Sequence, residues 1–259
     1  REFQALLGTT GAPSAERMSW LQAALRPVVL RRTREEVLTE LPEKEEQFLR
    51  CPLGEDQRRA YDGIRAHYRA SVLAQVSERG LAKSKMHVLE ALLRLRQAAC
   101  HPGLIDASLK AENSAKLDQL LPMLDEIADA GHKALVFSQF TQFLGILRSR
   151  LDDAAIRYEY LDGKTTRRGE AIDRFQSDPD TSAFLISLKA GGTGLNLTAA
   201  QYVFILDPWW NPAVEAQAVG RAHRMGQENP VSVYRLIGEN TIEERVLELQ
   251  ERKRDLVQA

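Results

Sequence analysis

Two arginines three residues apart, Arg221 and Arg224, lie in the segment Gln217-Ala218-Val219-Gly220-Arg221-Ala222-His223-Arg224-Met225-Gly226-Gln227. Guanidiniums that close repel each other unless an anion or carboxylates lie between them. Their forked donors suit phosphate oxygens, and arginine fingers use such donors to stabilise charge during phosphoryl transfer. Helical spacing predicts Gln217, Arg221 and Arg224 on one face, at i, i+4 and i+7. Gly220 would let a backbone or ligand come close. The competing reading is a solvated basic face. His223 reads as a structural or surface histidine, because no second ligand stands at metal-binding spacing, and no metal site is expected.

A second candidate is Ser187-Leu188-Lys189-Ala190-Gly191-Gly192-Thr193-Gly194-Leu195-Asn196, which directly follows an apolar run. Glycines there allow close backbone approach, and exposed N–H groups can hold an anion. The stretch satisfies neither G-x-x-x-x-G-K-[ST] nor G-x-G-x-x-G, and an ordinary glycine turn is the plain alternative. Asp162-Gly163-Lys164-Thr165 looks like the end of a P-loop, but the required first glycine would fall at Tyr158. It is not a triphosphate cradle, although Lys164 could still meet a nucleic-acid phosphate. In Asp207-Pro208-Trp209-Trp210-Asn211-Pro212 two adjacent tryptophans are costly to expose, so packing or contact with a base or sugar must account for them. Arg31-Arg32 and the Arg58/Arg59/Arg65/Arg69 face read as solvated charge.

These residues need a frame. From residue 114 onward, helical and strand patterns alternate. Strands are expected at Ala134–Phe137, Arg157–Leu161, Ala183–Ser187, Tyr202–Leu206 and Val231–Ile237. Helices are expected around Leu117–Ile127, Phe140–Leu151 and Arg167–Phe175, after Asn211-Pro212, and over Thr241–Val257. Continuous apolar strand runs fit a mostly parallel sheet covered on both faces, a three-layer α/β domain that gathers ligands at the carboxyl ends of its strands. Before residue 114 the texture is helical. Tyr61, Ile64, Tyr68 and Val72 form one face, and Val88, Leu89, Leu92, Leu95 and Ala99 another. Pro42 and Pro52 interrupt a charged stretch, and nothing there reads as a strand.

Composition adds bounds. The 259 residues are enough for one large or two small domains. The net charge of −1 divides into 18 basic and 15 acidic residues over 1–113, and 17 and 21 over 114–259. Net charge alone therefore does not point to nucleic acid, which often selects strongly basic domains. No run of 18 apolar residues suggests a membrane span, and the first residues lack a signal-peptide pattern. Cys51 and Cys100 stand alone and read as free thiols of a reducing compartment, cytoplasmic or nuclear.

Taken together the motifs resemble the C-terminal half of Swi/Snf-family ATPases, the DNA translocases of helicase superfamily 2. Leu30-Arg31-Arg32-Thr33 with Glu40-Leu41-Pro42-Glu43-Lys44 resembles that family's connector, and Leu95-Arg96-Gln97 through His101-Pro102 its helical insertion. Leu135–Phe140 is similar to motif IV, Ser187–Leu197 to motif V, and Asp207–Pro212 with Gln217–Gln227 to the tryptophan element and motif VI. The resemblance implies a RecA-like fold with a connector over 1–54, a helical insertion over 55–113, a lobe over 114–240 and a brace helix over 241–259. It implies that Arg221 and Arg224 are arginine fingers, with Gln217 and Gly194 at the nucleotide interface. Gln139, Lys164, Gly192, Thr193 and Trp210 would then face DNA. The cofactors it implies are ATP and Mg²⁺, held mainly by an N-terminal RecA-like lobe. The partners are that lobe, double-stranded DNA and a protein–DNA complex to be remodelled.

Two rivals stay open: a strand-separating helicase lobe of the same superfamily, and a non-catalytic binding module on a RecA-like fold. Tryptophan beside Asn-Pro and the Gly-Arg-Ala-His-Arg-Met-Gly-Gln run argue against the first. The chain contains no G-x-x-x-x-G-K-[ST] and no D-E-x-H, so it is expected to carry half of an active site. The 259-residue chain alone should show no ATPase with or without duplex DNA, and its duplex binding should be weak and salt-sensitive. Robust DNA-stimulated phosphate release from it would overturn this.

Overall fold

The computed structural model describes residues 41–190 and 194–258, together with Ser19 and Ala23. The chain divides into two compact units, Arg1–Glu40 and Leu41–Ala259, and the elements that follow belong to the second. The connector residues Leu30–Thr33 and Glu40, and the motif V residues Gly192 and Thr193, lie outside the described residues.

Six parallel strands form one sheet in the order β1-β6-β5-β2-β4-β3. They are β1 (Lys44–Cys51), β2 (Ala134–Ser138), β3 (Tyr158–Leu161), β4 (Ala183–Ser187), β5 (Tyr202–Ile205) and β6 (Val231–Gly238). Two helices, α1 (Glu55–Arg79) and α2 (Leu81–Cys100), form an antiparallel hairpin. The others are α3 (Ala115–Asp129), α4 (Thr141–Asp153), α5 (Arg168–Ser177), α6 (Pro212–Val219) and α7 (Ile242–Gln258).

Strand side chains alternate between faces. Ala134 and Val136 of β2 meet Leu117, Leu120 and Leu124 of α3 and Phe143 and Leu147 of α4. Leu135 and Phe137 meet Phe175 of α5 and Val219 of α6 on the other side. The three-layer α/β sandwich expected from the apolar runs is therefore present, and its strands and helices lie close to the expected ranges. Local signals explain the boundaries. Ser114 caps α3 by accepting from the Leu117 N–H at 3.4 Å. Gly131, at φ +70°, closes that helix while the His132 N–H donates to the Ile127 carbonyl. Asn211 caps α6 through a 3.1 Å bond from the Ala213 N–H, with Pro212 in the first helical position.

The structure corrects two expectations. Residues before 114 do contain a strand. β1 pairs with β6 along eight residues, from Lys44 beside Val231 to Cys51 beside Gly238. Its sequence, KEEQFLRC, is half charged, in keeping with a sheet edge, where charged side chains deter further strand pairing. Pro42 and Pro52 bracket this strand rather than breaking a loop. Leu89 does not belong to the packed face of α2; it is exposed, as are Met86 and Leu93.

The helical hairpin is bonded to the sandwich. Gln57 donates to the Ala98 and Ala99 carbonyls and accepts from the Ala115 N–H. The Tyr61 hydroxyl accepts from the Ile242 N–H at the start of α7. Both cysteines are free and buried. Among the described residues no helix is long and apolar enough to cross a membrane.

His101 ends α2. Its Nδ1 accepts from the Gly103 N–H and its Nε2 donates to the Glu112 carbonyl, so the ring is neutral. Burial pushes its pKa down to about 4 and Arg150 adds to this, against the Glu112 bond. An unfolded histidine titrates near about 6.5. The unfolded chain therefore takes up the proton first, and stability should fall as pH drops from about 6.5 towards 4. The expected loss at pH 5 is about 2 kcal/mol. Urea midpoints at pH 7 and pH 5 test this against His101→Asn. The idea fails if the wild type and the variant change equally.

Candidate functional site

The carboxyl ends of β2 and β5 are tied by buried polar groups. The Leu206 carbonyl, just after β5, accepts from Lys116 Nζ at 2.6 Å. Lys116 pairs with Glu243 at 2.7 Å, and both side chains are fully buried. Glu243 also accepts from the Gly238 N–H at the end of β6. Burial opposes the charged ammonium, but the Cys100 sulfur and the Glu243 carboxylate outweigh it, and the Lys116 pKa is held above its ordinary value. Burial pushes the Cys100 thiol well above its usual range too. At neutral pH the counter-charge is therefore the carboxylate.

Asp207 follows, fully buried, and accepts from the Ser138 hydroxyl at 2.5 Å and from the Gln139 N–H at 3.3 Å. Arg96 reaches the same place from α2 at 3% exposure. Its Nη1 donates to Gln139 Oε1 at 3.0 Å and its Nη2 to the Pro208 carbonyl. Its guanidinium lies 5.1 Å from the Trp210 ring and 3.9 Å from an Asp207 oxygen. Arg96 Nε and Gln139 Nε2 are buried without a hydrogen-bond acceptor, a cost of about 1–3 kcal/mol each. The two tryptophans take different roles. Trp209 packs on the core beside α5 and α6, whereas Trp210 is half-buried against Arg96.

Glu215 of α6 organises the same loop from the other side. One carboxylate oxygen accepts from the Trp209 N–H at 2.7 Å and from Gln250 of α7 at 2.6 Å. The other accepts from Arg235 of β6, which also bonds Glu46 of β1. Gln250 donates to the Trp209 carbonyl and Lys253 to the Trp210 carbonyl, so α7 holds the tryptophan loop along its backbone.

Lys164 is exposed beyond the end of β3, in a turn where Asp162 accepts from the Lys164 N–H at 2.8 Å. Four parallel strands thus put Gln139, Lys164, Lys189 and Trp210 at one edge of the sheet. Arg221 and Arg224 stand elsewhere. α6 spans about 12 Å and carries the chain back towards the start of β6. The expected single helical face is not formed, because α6 ends at Val219. Gln217 is exposed on the helix, while Arg221 and Arg224 follow in a tight turn. The Arg221 and Ala222 N–H groups bond three residues back, and Gln227 supplies its amide to the Thr198, Ala200 and Ala222 carbonyls. Gly226 turns at φ +90°, a conformation that favours glycine. Arg221 is buried, and its carbonyl accepts from the Leu197 N–H. Arg224 Nη1 donates to the Leu195 carbonyl at 3.1 Å. His223 is structural, as expected, and its Nε2 donates to the Pro42 carbonyl at 2.8 Å.

The glycine-rich segment joins the two places. The Leu188 N–H bonds the Ser138 carbonyl at the carboxyl edge, while Leu195 and Leu197 meet the arginine turn. Gly194 has φ +37°.

Comparison with known proteins assigns the family. The helicase conserved C-terminal domain matches residues 114–226, and the SNF2-related domain matches residues 2–104. The chain belongs to the Swi/Snf family, as a superfamily 2 C-terminal lobe. It is 38% identical over 247 residues to mouse SWI/SNF-related matrix-associated actin-dependent regulator of chromatin subfamily A member 1, covering 90% of this chain and 23% of that protein. It is 37% identical to an uncharacterized ATP-dependent helicase of Mycoplasma genitalium, covering 89% and 22%. The Sulfolobus solfataricus SWI2/SNF2 ATPase core in complex with dsDNA superposes with a TM-score of 0.71 at 29% identity, covering 94% of this chain and 52% of that one. The separate C-terminal domain of the Sulfolobus ATPase gives 0.68 at 29% identity, covering 82% and 87%. The chain spans about a fifth of the length of these curated relatives.

For this Swi/Snf lobe, sequence reasoning missed Arg96, Lys116, Glu215 and Glu243 as organisers. Each is a charged residue on a helix, which reads as solvated surface, and nothing in its spacing marks it as buried. Lys116→Met leaves Glu243 buried without its counter-charge and should cost about 3–5 kcal/mol. Burial of an unpaired carboxylate penalises its charged form, so the deficit relative to wild type should be larger at pH 8 than at pH 5. Urea unfolding at pH 5 and pH 8 measures it. A loss below about 1 kcal/mol at pH 8 would contradict the role given to this pair.

Proposed function

We propose that this lobe works in an ATP-dependent translocase of double-stranded DNA, facing a triphosphate with its arginine turn and the duplex with its carboxyl edge. The observation that carries the reading is where the described residues on either side of Gly191–Thr193 are bonded. Leu188 is bonded to the β2 edge beside Gln139, and the Leu195 carbonyl is bonded to Arg224. The DNA complex of the Sulfolobus relative and the remodelling and helicase names of the curated relatives support the choice of substrate.

In this reading Arg221 and Arg224 are arginine fingers that stabilise charge on the transferring phosphoryl group. Gln217 and Gly194 belong to the nucleotide interface. Gln139, Lys164, Gly192, Thr193 and Trp210 contact the DNA backbone. Residues 55–113 are the helical insertion, 114–240 the lobe, with β1 lent to it by the connector of 1–54, and 241–259 the brace.

ATP with Mg²⁺ would supply the leaving group and the energy for movement. The donor set fits only part of that group. Two arginines suit phosphate oxygens, while among the described residues no three His, Cys, Asp or Glu side chains gather to hold a metal. The metal and the phosphate cradle are therefore assigned to an N-terminal RecA-like lobe. The remodelling of a protein–DNA complex is the target that the chromatin relatives suggest.

The test is reassembly. Joined to a Swi/Snf first lobe that carries a P-loop, the chain should give DNA-stimulated ATP hydrolysis and translocation without strand separation. Arg224→Ala should lower kcat by roughly 10³-fold or more while duplex affinity is retained. Unchanged kcat in Arg224→Ala removes the finger assignment, and efficient unwinding of a blunt duplex favours the strand-separating reading.

A further inference from the structure

We propose that Arg96 is a positioning residue that locks Gln139 and Trp210 to the helical insertion, so that α2 and the duplex-facing edge move as one body. The proposal rests on the reading above, in which duplex DNA lies at the carboxyl edge.

Arg96 joins three separate stretches of chain. Its own helix is α2. Nη1 is given to Gln139, just after β2, and Nη2 to the Pro208 carbonyl, just after β5. The flat face of the guanidinium lies 5.1 Å from the Trp210 ring and 5.9 Å from Phe140. Only arginine combines a planar fork with a stacking face, whereas lysine offers one compact charge on a flexible stem. The bonds are directed at the two segments that carry the DNA-side candidates rather than at saturating the side chain, since Nε has no acceptor and neither has Gln139 Nε2. Trp210 is held on two sides. Arg96 takes its ring, and Lys253 of α7 takes its carbonyl at 2.9 Å. The rotamer of a half-exposed indole is thus set by a residue of the insertion, which belongs to neither the glycine-rich segment nor the arginine turn.

The test uses the 259-residue chain with Arg96→Lys, Trp210→Phe and the double variant, each checked for folding by circular dichroism. Two readings are taken: acrylamide quenching of tryptophan emission, and anisotropy of a labelled short duplex at low salt. Arg96→Lys should raise quenching and weaken duplex binding about tenfold. In the Trp210→Phe background the same change should no longer raise quenching and should cost less than about threefold in affinity, because residues acting through one contact are not additive. Additive losses, or unchanged quenching in Arg96→Lys, would overturn the proposal. Should Arg96→Lys fail to fold, Gln139→Leu removes the acceptor of Nη1. It is expected to raise quenching, and unchanged quenching would count against the lock. If the wild type binds no duplex at low salt, the DNA reading fails, and quenching alone decides whether Arg96 holds Trp210.

Discussion

A lysine and a glutamate sealed from water set the position of everything at the working edge of this lobe. Lys116 and Glu243 come from opposite ends of the α/β domain in sequence and meet at 2.7 Å with no exposed surface. An isolated charge in such a place costs far more than its partner costs it. The ends of α3, β5, β6 and α7 are therefore obliged to converge on one point. The backbone groups satisfied there are the Leu206 carbonyl and the Gly238 N–H, each at the exit of a strand. Asp207 and the tryptophan loop begin one residue later. Their backbone therefore starts from a point that the charge pair fixes, and Arg96, Glu215 and Gln250 hold it from there on.

The lobe keeps its two chemical surfaces apart. α6 separates the carboxyl edge from the arginine turn, and the glycine-rich segment runs between them, bonded at both ends.

Much of the fold was legible in the sequence because buried parallel strands are continuous apolar runs, and β2, β4 and β5 each consist of one. The Asn211-Pro212 start was legible for the same kind of reason, since each of its residue types does one local job. Three things were hidden. β1 was hidden because an edge strand is selected for charge, which erases the alternation by which strands are found. The arginine turn was hidden because Gln217, Arg221 and Arg224 do fit helical spacing. The helix instead stops at Val219, and the residues after it are held in a turn whose Gln227 takes up carbonyls from a distant segment. Arg96 was hidden because a buried arginine is spelled like a solvated one. In the candidate site, relative position was not readable, since it depends on long-range polar bonds.

The parallel ladder of β1 has a mechanical consequence. It is the first strand of the sheet in sequence, and it is bonded along eight residues to β6, with Glu46 also fixed to Arg235. A pull on the chain ahead of Leu41, directed along the strand, would load that whole ladder in shear rather than unzip it one bond at a time. A connector that must carry tension between moving parts is well terminated by such an anchor. β1, half of it charged, is bonded so that such a load would be shared along its whole length.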